Sequence, residues 1–396
     1  MTPAEKTFIR HPPTDAEEET PDVARGESAG DNGGDGAALP FFTPRRAAQT
    51  GIVVAVLVVA IYLIIPEIAD LGSAFDKLGE ADEAWIAAAV LFEIIAFGTY
   101  VALFRGVVGG DVLPLTWREA YEINMAGLAA SLLLSGGGAG GIALTYWALR
   151  KAGMEARDSA KRMVAFIGLQ YIFYPLALIV FGILLRTGVL PGDNAIELTI
   201  IPAAIAGVVL ILGILAALIP ADFDRRVGRL TRGSERRQTW ARRLASIPAT
   251  VGDGMRMAFD LMAHPSRGGL AVAGAVGFWA AQIAILWASF KAFGVSVPIA
   301  VIIQGFFLGM LANLIPFAPA GVGAVDAGMI GAFFLFGLPH AEVFAAILIY
   351  RVVAFWLPLL PGIVAFFQLR KTVHRWEQEG RPAETGEDRV PMPAPG

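Results

Sequence analysis

Asn313-Leu-Ile-Pro-Phe-Ala-Pro-Ala-Gly-Val-Gly-Ala-Val-Asp326 interrupts an apolar segment with two prolines, two glycines and a polar residue at each end. Irregular backbone cannot face lipid, because each unpaired N–H or C=O there costs several kcal/mol. Such a stretch is tolerated only where protein buries it or where it lines a wet cavity. It predicts a re-entrant, broken-helix element at the centre of a membrane protein. Ser131 to Gly141, with Gly136, Gly137, Gly138, Gly140 and Gly141, has the same character in the first half.

The rest of the chain agrees. Of 396 residues, 56% are apolar and 17% charged, against roughly 25% charged in soluble domains. Several apolar runs approach the roughly 20 residues that cross a bilayer. The fold class expected is an all-α polytopic membrane protein. The absence of cysteine excludes disulfides and thiolate metal sites. The four histidines have no metal-ligand spacing. No cofactor, metal or nucleic-acid partner is expected.

Residues 1–46 are acidic and polar, and read as a disordered cytoplasmic tail. The membrane domain runs over 47–370, in halves 47–187 and 196–370, and a polar tail follows over 371–396. Full spans are expected near 47–65, 85–104, 163–185, 196–219, 270–293 and 341–367, with two hairpins near 122–149 and 298–336. The alternative is eight simple spans. The loop 221–267 holds ten arginines and five acids, so the positive-inside bias makes it cytoplasmic. Within it Val251, Met255, Ala258, Phe259, Leu261 and Met262 share a helical face, which suggests a helix lying on anionic inner-leaflet lipids; a solvated basic loop that serves only topology is the alternative. Both termini fall on the cytoplasmic side of the cell membrane.

Each half reads span, span, broken hairpin, span, in opposite orientation. Gly153 precedes Pro175 much as Gly337 precedes Pro358. Inverted repeats of this kind place a transport site mid-membrane, at the discontinuous helices.

Arg351 lies about ten residues into the last span, roughly 15 Å deep. A central arginine costs roughly 2.5–3.5 kcal/mol to insert, so it requires a partner or a water cavity. Asp326 is the natural partner and Glu93 the other candidate. The guanidinium fork suits a lipid phosphate; a purely structural ion pair is the alternative. Asn313, Gln304, Gln282 and Gln170 could line the same cavity or bond between helices. Gly137, Gly141, Pro319, Gly321 and Gly323 belong to the broken turns, whose backbone N–H groups could meet an anion. No nucleotide-binding loop or catalytic constellation is legible, and no enzyme is expected.

The motif from Asn313 to Asp326, continued by Gly337, Ala345, Arg351, Pro358 and Gly362, resembles the lysylphosphatidylglycerol synthase transmembrane-domain family, also called the flippase-like domain family. The likeness covers roughly residues 45–370. Asp326 stands where the family commonly has Glu, and the first hairpin lacks the family's Gly-Glu pair and following arginine. The resemblance implies a bacterial inner-membrane protein related to phospholipid flippases, without the soluble synthetic domain. The reading that follows is a phospholipid translocator of unknown oligomeric state. The alternatives are an enzyme or accessory factor of lipid-linked glycan metabolism, or a membrane scaffold that transports nothing.

Overall fold

Five stretches among the described residues are long and apolar enough to cross a bilayer. The computed structural model describes residues 78–109, 113–133, 139–220, 235–311 and 323–379, with 132, 133, 139 and 235–246 in backbone only. The stretches are α1 (Glu83–Val108), α4 with α5 (Ala156–Tyr171 and Phe173–Arg186), α6 (Ile200–Ala217), α8 (Pro265–Ala292), and α11 with α12 (His340–Arg351 and Leu359–Gln378). They coincide with five of the six expected spans. The sixth, near 47–65, lies outside the described residues, as does the acidic N-terminal tail. All regular structure described is helical; the chain is an all-α polytopic membrane protein.

Sequence explains where α1 begins and ends. The Asp82 carboxylate accepts from the Ala84 N–H at 2.8 Å as an N-cap, and Arg105 sits in the last turn before Gly109. Both ends suit the helix dipole. Its 26 residues extend about 39 Å.

α1 and α8 form the central antiparallel pair. Gly106 meets Ala271, Gly274 meets Leu103, and Gly277 meets Thr99, so the two backbones approach closely through glycine. A Cβ on Gly274 would lie 2.3 Å from the Leu103 backbone nitrogen. Small residues let membrane helices pack this closely, where dispersion rather than hydrophobicity drives association.

Both expected hairpins are antiparallel helix pairs. In the first, α2 (Trp117–Leu133) packs against α3 (Ala139–Lys151). Gly127 faces Thr145, and Gly141 faces Ser131 and the Gly127 carbonyl. In the second, α9 (Ile299–Met310) packs against α10 (Ala324–Leu335), with Gly305 on Phe333 and Gly309 on Met329. At 12 residues each, α9 and α10 reach only about 18 Å, too short to cross a core of about 30 Å singly. The turns themselves, 134–138 and 312–322, lie outside the described residues.

The halves correspond in further detail. Gly153 and Gly337, which close the two hairpins, both have positive φ, 100° and 76°, a region that favours glycine. Each final span is then interrupted. Ile172 separates α4 from α5, three residues before Pro175. A π turn, Val352–Trp356, separates α11 from α12, just before Pro358. There the Leu357 N–H bonds back to the Val352 carbonyl at 3.0 Å. Proline has no N–H to continue a helical ladder, which accounts for a local rearrangement at both places. The hairpins exchange partners: α2 packs on α12, the end of the second half, and α9 packs on α5, the end of the first.

Much of the basic loop is a long helix, α7 (Glu235–Ala263), which leads into α8 through His264. Its apolar face packs on protein. Ala258 and Leu261 are buried, Met255 lies against Gly168 of α4, and Gly254 lies against Val164. Arg256 donates to the Ala217 carbonyl at 2.9 Å and to that of Ile219, satisfying the open end of α6. The side chains of the arginines between 225 and 243 lie outside the description.

The first hairpin is tied to α12 by polar groups. The Glu119 carboxylate accepts from Trp376 Nε1 and from the Thr116 N–H and hydroxyl, each at 2.9 Å. The Glu122 carboxylate accepts from Thr372 Oγ1 at 2.6 Å and from Arg118 Nε at 2.8 Å. Glu122 and Thr372 are both buried. Removing one partner strands the other, at a cost of about 1–3 kcal/mol. Glu122→Ala is therefore expected to lower thermal stability in detergent by about that amount. Adding Thr372→Val should recover part of the loss. Full additivity of the two substitutions would show that the bond contributes nothing.

Candidate functional site

Arg351 is the last residue of α11, at the step into the π turn, and Asp326 lies in the first turn of α10. The structure brings them together. Arg351 Nε donates to Asp326 Oδ1 at 2.6 Å, and Nη2 lies against the same oxygen without hydrogen-bond geometry. The other carboxylate oxygen, Oδ2, accepts the Gly323 N–H at 3.1 Å. Gly323 makes this possible with a φ of 82°. Asp326 thus both starts α10 and holds the arginine of the neighbouring helix. The side chains are 14% and 22% exposed, partly desolvated rather than sealed.

The guanidinium borders a cavity of about 180 Å³. Gln170 and Tyr171, at the α4 break, form one side; Phe278, Trp279 and Gln282 of α8 form another; Tyr350 and Phe355 flank Arg351. Trp279 Nε1 donates to the Gln170 carbonyl at 2.8 Å, pinning α8 to the interrupted span. Arg351 Cζ lies 5.1 Å from the centroid of the Phe355 ring, within cation–π range. The chamber therefore combines one cation, amide and hydroxyl groups, and aromatic walls.

A hydrogen-bonded chain leads from this chamber into the α1–α8 contact. The Tyr350 hydroxyl donates to Gln282 Oε1 at 3.1 Å, and Gln282 Nε2 donates to Glu93 Oε2 at 3.3 Å. Glu93 is 2% exposed. Among the described residues it has no ion-pair partner; its link to Arg351 runs through Gln282 and Tyr350.

The residues expected at the site divide accordingly. Arg351, Asp326, Gln282 and Gln170 assemble at or beside the chamber, and Glu93 connects to it. Gly323 supplies the N–H that orients Asp326. Gln304 points elsewhere, donating to the Leu198 carbonyl at 2.8 Å. Gly141 lies in the α2–α3 contact, where a Cβ would sit 2.3 Å from the Gly127 carbonyl oxygen. Asn313, Pro319, Gly321 and Gly137 lie outside the described residues. Sequence reasoning missed Phe278, Trp279 and Phe355, because aromatic side chains in an apolar helix carry no periodic mark of the face they will take. Among the described residues no cluster of three or more metal-ligating side chains occurs.

Comparison with known proteins places this architecture. Residues 51–362 match the family described as lysylphosphatidylglycerol synthase TM region. A UPF0104 membrane protein of Methanothermobacter thermautotrophicus is 25% identical over 310 residues, covering 74% of this chain and 88% of the relative. A further UPF0104 match from that organism is 31% identical over 90 residues, 23% of this chain and 26% of the relative.

Proposed function

This chain belongs to the lysylphosphatidylglycerol synthase TM region family, and from that premise we propose that it moves a phospholipid headgroup across the cell membrane. The observation that carries the reading is the largely buried Arg351–Asp326 pair at a π turn, bordering a chamber of polar and aromatic side chains between two interrupted spans. A π turn frees backbone and side chains from regular helical register, and such bulges are frequent at functional sites. A charged residue within an apolar span is expensive unless it is paired or reaches water, and such residues often mark substrate pathways. In this reading the chain acts without catalysis, and both termini lie in the cytoplasm. The headgroup passes between the second hairpin and the α4 break while the acyl chains stay in lipid.

The test is reconstitution of the purified full chain into vesicles carrying a trace of headgroup-labelled phospholipid. Label in the inner leaflet is expected to become accessible to an impermeant quencher faster than in protein-free vesicles. Equal rates, with correctly folded protein in the bilayer, would reject translocation.

A further inference from the structure

We propose that the chamber selects a small zwitterionic headgroup, one with a phosphate and an ammonium joined by a short aliphatic spacer, over an anionic headgroup. The proposal rests on the translocation site just described and adds its substrate class. Arg351 is the one cation lining the chamber among the described residues, so an incoming phosphate must engage it. Arg351 is already engaged by Asp326 through Nε, with Nη2 close to the same oxygen but without a hydrogen-bond partner. The pair is neutral as a unit and only slightly exposed. A purely anionic headgroup that takes the guanidinium leaves the Asp326 carboxylate, beside the chamber and 22% exposed, with no cation, and an uncompensated, partly desolvated charge is strongly unfavourable. A zwitterion replaces both partners at once: phosphate for Asp326 on the guanidinium fork, ammonium for Arg351 on the carboxylate.

Two further features favour that exchange. The Phe355 ring already receives the Arg351 cation at 5.1 Å, and the same ring face can receive an ammonium when the arginine turns to the phosphate. The chamber, of about 180 Å³, has room for a compact headgroup. Asp326 keeps its Gly323 N–H throughout, so the carboxylate stays in place while its cation changes.

The experiment compares short-chain phosphatidylethanolamine with short-chain phosphatidylglycerol as ligands of the purified full chain, by calorimetry or thermal shift. The wild-type protein is expected to bind the zwitterion about ten-fold more tightly or better. In Asp326→Asn the single amide oxygen can replace only one of the two carboxylate acceptors, toward Arg351 or toward Gly323, and the negative charge is gone. That variant should lose the preference and gain affinity for the anionic lipid. Equal affinities in the wild type, binding of neither lipid, or an unchanged preference in Asp326→Asn would each overturn the proposal. The wild-type comparison alone decides should the variant not fold. Lipid movement in vesicles without headgroup preference would refute selectivity and leave translocation standing. Selective binding without lipid movement would do the reverse.

Discussion

Arg351→Ala is expected to reduce lipid translocation by about ten-fold or more in reconstituted vesicles, while the protein remains folded. The guanidinium is the single cation at the chamber among the described residues, and alanine removes both its charge and its planar fork. The stability cost should be smaller. Breaking a fully buried pair costs about 3–5 kcal/mol. Asp326 is 22% exposed and retains the Gly323 N–H, so solvent and that bond reduce the loss to roughly 1–2 kcal/mol. The double variant Arg351→Ala/Asp326→Ala separates structure from function. It removes the stranded carboxylate but also the acceptor of the Gly323 N–H, so it should recover only part of the stability, with no recovery of transport. Arg351→Lys keeps the charge without the fork and should fall between wild type and alanine. Wild-type transport in Arg351→Ala would remove this residue from the site.

Gly274→Val is expected to produce the largest folding defect of any single change considered. A Cβ at Gly274 would stand 2.3 Å from the Leu103 nitrogen and 2.7 Å from the Thr99 carbonyl oxygen. These are backbone atoms within α1, which cannot rotate away as a side chain would. Overpacking a core typically costs about 1–3 kcal/mol, and a backbone clash along the central helix pair should reach or exceed the top of that range. The expected readout is a broad or aggregated gel-filtration profile and a sharply lowered melting temperature in detergent. Gly98, on the same helix α1, has nothing within 4 Å of its would-be Cβ, so Gly98→Ala serves as the matched control and should be close to neutral. Similar behaviour of the two variants would show that α1 and α8 do not approach as closely as described.

Hydropathy alone located the helices. The expected spans at 85–104, 163–185, 196–219, 270–293 and 341–367 each match an observed crossing-length stretch, because a bilayer-length apolar run is a local property of sequence. The two glycine-rich stretches are each flanked by a pair of packed helices, α2 with α3 and α9 with α10. Arg351 and Asp326 were legible as partners because ionised groups in an apolar setting are rare and must be compensated. In the basic segment Gly254, Ala258 and Leu261 turn α7 toward α4. An apolar face is satisfied equally by lipid or by protein, and hydropathy does not distinguish them.

The sequence by itself determined that this is a helical membrane protein and marked Arg351 as a residue in need of a partner or of water. Only the tertiary structure decided that each hairpin packs on the opposite half's final span, that Gln282 bridges Glu93 to Tyr350, and that Trp279 closes the chamber against Gln170. Those contacts join residues that lie tens to hundreds of positions apart. They depend on glycine-permitted backbone approach and on the directions of individual donors and acceptors, neither of which leaves a local pattern in the chain.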